Sequence, residues 1–130
     1  MRTLVVDDDF TSRLFLQSIL SEYGECHSAM NGKESVAAFR VAQDCGQNYN
    51  LVCMDITMPE MDGPTAVREI RALEEAEGTM STNGVKIIMT TAIDDVKDVM
   101  DSFESLCDVY LVKPINKAKL IEKLRDLGLI

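Results

Sequence analysis

Long apolar runs are missing from this sequence of 130 residues. No stretch approaches the roughly 18 consecutive apolar residues that a membrane-spanning helix requires. Acidic residues begin at Asp7, so the preceding residues do not form the apolar segment of a signal peptide either. We therefore expect neither a contact with the membrane nor export.

Basic residues are scarce, because 13 lysines and arginines stand against 22 acidic residues. The formal net charge is −9, and the isoelectric point is near 4.5. A nucleic-acid-binding domain needs a basic face, and this chain has too few cations to build a large one. The sequence thus argues against direct nucleic-acid binding, while its acidic surface favours basic or metallic partners.

Cysteine motifs that bind metals are also absent. The four cysteines show no C-x-x-C spacing, and His27 is the only histidine. Cys26 and Cys53 lie in apolar runs, where a free thiol behaves as a small hydrophobic side chain. We expect reduced, structural cysteines in a cytoplasmic protein, with a zinc or disulfide site as the alternative.

The composition is otherwise that of one globular domain. Hydrophobic residues make up 46% and charged residues 27% of the chain, which argues against intrinsic disorder and collagen-like repeats. A chain of this length buries roughly two thirds of its unfolded surface. No linker or internal repeat divides the sequence, so we expect one domain over residues 1–130.

Five short apolar runs alternate with longer segments whose apolar residues recur with helical spacing. Most runs are continuous, as in strands that helices cover on both faces. The alternation predicts an α/β fold of five β-α units, with a parallel sheet, helices on both faces and right-handed crossovers. The predicted strands are residues 3–6, 26–29, 51–54, 85–90 and 109–112.

Capping residues support the same division. Asn31 and Asp62 each precede a segment of helical spacing, and a proline follows Asp62 in the first turn. Both patterns are typical of helix starts. Asp94 and Asn116 are candidate caps of two further helices, of which the first covers residues 96–103.

Polar residues end or follow most of the predicted strands. In open parallel sheets the ligand site lies beyond the carboxyl ends of the strands. Asp7 and Asp8 follow the first strand, Asp55 the third, Thr91 the fourth and Lys113 the fifth. We therefore expect these five side chains at one edge of the sheet.

Converging carboxylates repel one another, so a hard divalent cation such as Mg²⁺ would stabilise them. Lys113 supplies a counter-charge, and the hydroxyl of Thr91 can donate to an anion. Asp9 lies next to the same acids, but we expect it to cap the following helix. The whole set at four strand ends favours a binding site over a group of solvated loop residues.

Four segments carry a resemblance that covers essentially the whole chain. They are LVVDDD at 4–9, MDITMPEMDG at 54–63, MTTA at 89–92 and YLVKP at 110–114. Together they resemble a two-component response-regulator receiver domain of the single-domain, chemotaxis-regulator type. The resemblance implies a doubly wound, flavodoxin-like fold with strand order 2-1-3-4-5.

The resemblance also implies roles for the residues at the strand ends. Asp55 is implied to accept a phosphoryl group from a sensor histidine kinase or a histidine phosphotransfer protein. Asp8, Asp55 and the backbone carbonyl of Thr57 are implied ligands of Mg²⁺, and Asp7 is implied to bind it through water. Lys113 is implied to pair with Asp55 before transfer and with the phosphoryl oxygens afterwards.

Signal output is implied to begin at Thr91, which hydrogen-bonds the phosphoryl group, while Tyr110 changes rotamer in response. The face that changes is expected to comprise the helix at 96–103, the fifth strand and the last helix. This face would bind a downstream protein, or a second copy of the chain as a homodimer on activation. On this interpretation the protein is not an enzyme, although it assists its own phosphorylation and dephosphorylation.

Other functions fit the sequence less well. A flavodoxin-type cofactor binder needs a phosphate cradle after the first strand, where residues 7–9 are all acidic. A phosphatase of the haloacid dehalogenase type needs a D-x-D motif, whereas Asp55 is followed by Ile56 and Thr57. An EF-hand loop starting at Asp7 fails because Ser12 takes the place of its glycine. The remaining alternative is a receiver-like interaction module that works without phosphorylation.

Overall fold

The computed structural model describes residues 1–56, 58–79, 84–92 and 107–130. Thr57 lies outside the described residues. The helix predicted at 96–103 and its candidate cap Asp94 lie outside them as well.

Five parallel strands form one sheet in the order β2-β1-β3-β4-β5, which confirms the predicted fold and strand order. Three strands have the predicted bounds. The third ends one residue later than predicted, and the fourth begins and ends one residue later. The strands are β1 (Thr3–Val6), β2 (Cys26–Ala29), β3 (Leu51–Asp55), β4 (Lys86–Thr91) and β5 (Val109–Val112).

Four α-helices lie in the described part of the chain, and each begins next to a capping side chain. Asp9, Asn31, Asp62 and Asn116 each accept a hydrogen bond from the backbone N–H three residues later. This satisfies a donor that the first helical turn leaves without a partner, and it confirms the caps that the sequence predicts. The helices are α1 (Phe10–Leu20), α2 (Gly32–Asp44), α3 (Gly63–Ala76) and the C-terminal helix (Lys117–Asp126).

The sheet separates two layers of apolar side chains, because neighbouring residues of a strand point to opposite faces. On one face, Leu4 and Val6 of β1 lie in the same apolar cluster as residues of α2 and α3. On the other face, Val5 lies with residues of α1 and the C-terminal helix. The helical residues are Phe39 and Ile70 on the first face, and Leu16, Leu20, Leu120 and Leu124 on the second.

The central strands differ from the edge strands in burial. β1 and β3 are buried along their whole length, whereas β2 and β5 are only partly buried. Helices on both faces cover the central strands, which explains why their sequences are continuously apolar. Among the described residues, no helix is long and apolar enough to cross a bilayer.

The cysteines differ in burial, and the histidine contacts two neighbouring side chains. All four cysteines are free thiols. Burial raises the pKa of Cys53 to about 12 and that of Cys26 to about 11, so both thiols stay protonated and unreactive at neutral pH. At the amino end of β2, His27 contacts the hydroxyl of Tyr49 at 2.8 Å and Oε1 of Glu25 at 2.9 Å.

Candidate functional site

The carboxyl edge of the sheet holds the polar residues that end or follow the strands. The backbone ladder continues past β1, since the N–H of Asp7 donates to the carbonyl of Ala29 at 3.2 Å. It also continues past β5, since the N–H of Lys113 donates to the carbonyl of Thr91 at 2.8 Å. Asp55 is itself the last residue of β3. The parallel sheet therefore brings Asp7, Asp55, Thr91 and Lys113 to one edge.

Asp7, Asp8 and Asp55 form an acidic cluster, in which one carboxylate oxygen of each lies within 4.8 Å of the others. Asp7 is fully buried and Asp55 is 6% exposed, whereas Asp8 faces solvent. Burial, followed by the nearby charge of Asp7, raises the pKa of Asp55 from 3.8 to about 6. The cluster thus places carboxyl groups where burial and like charge make their ionised form unfavourable.

Lys113 bridges two of these acids. Its Nζ lies 2.9 Å from Oδ2 of Asp7 and 3.5 Å from Oδ1 of Asp55. Burial alone would lower the pKa of Lys113, but the hydrogen bond with Asp7 and the charge of Asp55 raise it above the ordinary value. The lysine therefore stays charged and offsets part of the repulsion within the acidic cluster.

The backbone after β1 holds Asp7 in place. Oδ1 of Asp7 accepts a hydrogen bond from the N–H of Asp9 at 2.9 Å. The carboxylate of Asp9 points the other way and accepts from the N–H of Ser12 at 2.9 Å and from its hydroxyl at 2.8 Å. These bonds lower the pKa of Asp9. Asp9 therefore caps α1, whereas Asp7 and Asp8 belong to the acidic cluster.

Thr91 and Tyr110 lie on adjacent strands. Thr91 is buried at the end of β4, and its hydroxyl donates to the carbonyl of Ala92 at 3.2 Å. Tyr110 of β5 lies beside Met89 of β4 and is partly buried. Burial raises the pKa of the Cys107 thiol, and a hydrogen bond with the Tyr110 side chain opposes that rise.

The backbone that follows Asp55 turns back tightly against β3. The N–H of Gly63, the first residue of α3, donates to the carbonyl of Ile56 at 2.9 Å. A Cβ atom on Gly63 would lie 2.3 Å from the carbonyl oxygen of Asp55, which no side chain tolerates. Glycine is therefore required for α3 to begin directly against the backbone of Asp55. Thr57 falls between these two residues, outside the described part of the chain.

The acidic cluster fits a hard divalent cation. Mg²⁺ prefers a few carboxylate oxygens with water in the remaining positions, and the cluster offers three carboxylates from Asp7, Asp8 and Asp55. Cysteine and histidine, which zinc prefers, are not part of the cluster. Because Asp8 is exposed, the cluster is open to solvent on one side.

Arg13 contributes to the site although its sequence position does not single it out. Its Nη1 donates to the backbone carbonyl of Asp7 at 2.8 Å, and its guanidinium lies 5.7 Å from the centre of the Phe10 ring. The only sequence signal is the spacing of Arg13 from Asp9, four residues along the first turn. Such arginines are common on helix surfaces, so this signal has little specificity.

Curated relatives place the chain in a family. The family model of the response regulator receiver domain matches residues 3–125. The chemotaxis protein CheY of Bacillus subtilis is 32% identical over 123 residues, which cover 93% of the chain and 92% of that protein. A hybrid signal transduction histidine kinase L of Dictyostelium discoideum is 34% identical, but the match covers only 7% of the kinase. The chain spans less than half the length of several of its curated relatives.

Solved structures share the fold. In the co-crystal structure of the Saccharomyces cerevisiae histidine phosphotransfer protein Ypd1 with the receiver domain of Ssk1, one chain matches with a TM-score of 0.82 and 28% identity, covering 98% of this chain and 88% of that chain. A chain of the CheX-CheY-BeF₃-Mg²⁺ complex from Borrelia burgdorferi matches with a TM-score of 0.81 and 25% identity, covering 100% and 90%. With its strand order and its acidic strand-end cluster, the chain belongs to the response regulator receiver domain family of two-component signalling proteins.

Proposed function

We propose that this chain accepts a phosphoryl group on Asp55 from a histidine kinase or a histidine phosphotransfer protein, in a reaction that requires Mg²⁺. The observation that carries the proposal is the acidic cluster, where Asp55 shares a largely buried site with Asp7, Asp8 and the charged Lys113. Buried charges that serve only structure are usually paired. Among the described residues, three carboxylates surround one lysine and leave negative charge uncompensated, which suits a site that binds a cation.

Asp55 is the nucleophile. Its pKa of about 6 leaves the carboxylate mostly ionised at neutral pH. One of its oxygens attacks the phosphorus of the donor's phosphohistidine, while the phosphorus–nitrogen bond breaks and its electron pair returns to the imidazole. Phosphoryl transfer depends mainly on positioning and charge neutralisation. Lys113, 3.5 Å from Oδ1 of Asp55, supplies positive charge at the point where the phosphoryl oxygens arrive.

Asp8 and Asp55 would hold Mg²⁺ directly, together with the backbone carbonyl of Thr57, which lies outside the described residues, and Asp7 would hold it through water. Both carboxylate oxygens of Asp7 already accept hydrogen bonds, one from the N–H of Asp9 and one from Lys113. This engagement supports an indirect role for Asp7 and leaves direct binding to the other two acids. When bound, Mg²⁺ neutralises the acids and the phosphoryl oxygens.

Output begins at Thr91. Phosphorylation adds about −1.5 to −2 units of charge and three acceptor oxygens. The hydroxyl of Thr91 exchanges the carbonyl of Ala92 for a phosphoryl oxygen, and Tyr110 moves into the space behind β4. We expect the face that changes to include β5 and the C-terminal helix; the helix predicted at 96–103, which completes the expected face, lies outside the described residues. This face binds a downstream protein or a second copy of the chain.

The kinds of partner follow from the family. Receiver domains pair with histidine phosphotransfer proteins, as in the complex of Ypd1 with the Ssk1 receiver domain. We expect the same class of donor for this chain, and a cytoplasmic location because its four cysteines are free thiols. The protein acts as a signalling component rather than an enzyme, and it assists its own phosphorylation and dephosphorylation.

Labelling with acetyl phosphate and Mg²⁺, followed by intact-mass measurement, tests the acceptor. The wild-type chain should gain one phosphoryl group, and Asp55→Asn should gain none, because the amide removes the nucleophile while keeping the shape. Asp9→Asn is the matched control, since Asp9 only caps α1, and it should be labelled like the wild type. Full labelling of Asp55→Asn would refute the assignment. An unlabelled wild type would favour the interaction module that works without phosphorylation.

Thermal unfolding with and without Mg²⁺ tests the metal. A ligand at about 100 times its dissociation constant stabilises the folded state by roughly 2.7 kcal/mol. We expect Mg²⁺ to raise the melting temperature, Asp8→Ala to weaken this effect strongly, and Asp9→Ala to leave it almost unchanged. Equal effects of the two substitutions would show that the acids facing the cation are misassigned.

A further inference from the structure

The first turn of α2 meets the loop between β3 and α3 at a close backbone contact. The N–H of Gly32 donates to the carbonyl of Met61 at 3.2 Å. A Cβ atom on Gly32 would lie 2.4 Å from that oxygen and 3.0 Å from the carbonyl carbon of Met61. Gly32 does not have the positive φ that favours glycine elsewhere in the chain. Its lack of a side chain therefore serves the close approach and not the backbone conformation.

Beside this contact, the loop is the less buried of the two partners. α2 is held in the core by Phe39 and Ala42, and its first turn is tied by a 2.6 Å bond from the hydroxyl of Ser35 to the carbonyl of Gly32. On the other side, Pro59 and Glu60 of the loop are exposed. A side chain at position 32 would therefore push the loop rather than the helix.

A displacement of the loop at Met61 would reach the acidic cluster through the two peptide units that connect Met61 to Gly63. Met61 is followed by Asp62, which caps α3, and by Gly63. The N–H of Gly63 donates to the carbonyl of Ile56, and its Cα fits against the carbonyl of Asp55. A continuous series of backbone contacts thus links Gly32 to the backbone of Asp55.

We propose that Gly32 is a positioning residue for the acidic cluster: by admitting Met61 against α2, it holds the loop after Asp55 where cation binding and phosphoryl acceptance require it. The inference rests on the proposed function. Gly32 touches neither the acids nor Lys113 in the described structure, and it acts only through Met61 and Gly63. Groups that support metal ligands in this indirect way typically change metal affinity by about 10- to 100-fold when they are altered.

Gly32→Ala tests the inference, with Gly46→Ala as the matched control. Gly46 lies just beyond the other end of α2, at φ 69° with nothing within 4 Å of an added Cβ. Alanine there strains the backbone and lowers stability without touching the loop. The dissociation constant of Mn²⁺, measured by electron paramagnetic resonance of the free ion, should rise about tenfold in Gly32→Ala. It should match the wild type in Gly46→Ala, even when urea unfolding shows similar losses of stability.

A second measurement uses the wild type and covers the case in which Gly32→Ala does not fold. Titration with Mg²⁺ should shift the amide resonance of Gly32, through its bond to Met61, and leave those of Gly46 and Gly128 unchanged. An unshifted Gly32 resonance, or equal Mn²⁺ affinity in all three proteins, would overturn the positioning role while leaving the proposed function intact. A wild type that binds no metal and accepts no phosphoryl group would instead overturn the proposed function.

Discussion

Charged side chains are buried at the carboxyl edge of the sheet, where the strands end, and at the amino edge, where the strands begin. The two edges differ in the partners that these side chains have. At the carboxyl edge, Asp7, Asp8 and Asp55 gather around Lys113. At the amino edge, Glu74 is 5% exposed and has a partner for each carboxylate oxygen. Oε1 accepts from Arg71 at 2.7 Å, and Oε2 accepts from a backbone N–H at 2.6 Å.

Arg71 connects three elements at the amino edge. Its guanidinium donates to Glu74, to the carbonyl of Val85 at 2.9 Å and to Asp108 at 3.3 Å. Asp108 also accepts from the N–H of Ile87 at 2.8 Å. The network fastens the end of α3 to the starts of β4 and β5.

The difference separates structural charges from functional ones. At the amino edge, the buried carboxylate of Glu74 meets donors that the fold itself provides, so its hydrogen bonding is complete without a ligand. At the carboxyl edge, burial and like charge raise the pKa of Asp55, and Lys113 offsets only part of that rise. An incomplete arrangement of this kind leaves a place for a cation and a phosphoryl group.

Removing the positive charge of Arg71 at the amino edge should produce the largest change in stability. Arg71→Leu leaves the carboxylate of Glu74 buried without its positive partner, and this should lower the free energy of unfolding by about 3 kcal/mol. Urea unfolding measures the loss, and Arg40→Leu, on an exposed part of α2, should change it by less than about 0.5 kcal/mol. Labelling of Asp55 should survive in both. A loss of labelling in folded Arg71→Leu would contradict the separation of the two edges.

Neutralising Asp55 at the carboxyl edge should instead raise the free energy of unfolding. The folded-state pKa of Asp55 is raised, so its contribution to stability is fully present below pH 3.8 and is lost as the pH rises through about 6. In EDTA above pH 7, Asp55→Asn should therefore be more stable than the wild type by about 1–2 kcal/mol, a value reduced for partial solvent screening. The advantage should vanish below pH 4 in urea unfolding followed by circular dichroism.

Asp9→Asn is the control for that test, because hydrogen bonds to Ser12 lower the pKa of Asp9. Its contribution to stability is present above pH 3.8 and is lost as the pH falls. The Asp9 variant should thus gain nothing above pH 7. If both variants were stabilised equally, general relief of the net charge of −9 would explain the effect better than the acidic cluster.

The smallest expected effect concerns a hydroxyl at the start of β1. Among the described residues, the buried Oγ1 of Thr3 has no hydrogen-bond partner. Thr3→Val keeps the shape and removes the unpaired group, so we expect a gain of about 1 kcal/mol in urea unfolding. Ser35→Ala is the control, because that buried hydroxyl donates to the carbonyl of Gly32 at 2.6 Å, and its loss should destabilise. A loss of stability in Thr3→Val would point to a partner for Oγ1.

The sequence by itself determined the elements and the edge where the acids gather. Continuous apolar runs marked the strands, and Asn31, Asp62 and Asn116 marked helix starts, because periodicity and capping act within a few residues. The alternation of strands and helices then required a parallel sheet, which brings Asp7 and Asp55 to one edge.

Only the tertiary structure decided how the elements meet. It showed that Lys113 lies closer to Asp7 than to Asp55, that Arg71 reaches Asp108, and that Gly32 admits Met61. Each of these contacts joins residues 29 to 106 positions apart, within reach of one another only after the helices pack on the sheet. Local patterns describe which face a side chain takes, but distances between distant segments depend on how whole elements pack, and no short stretch of sequence encodes that.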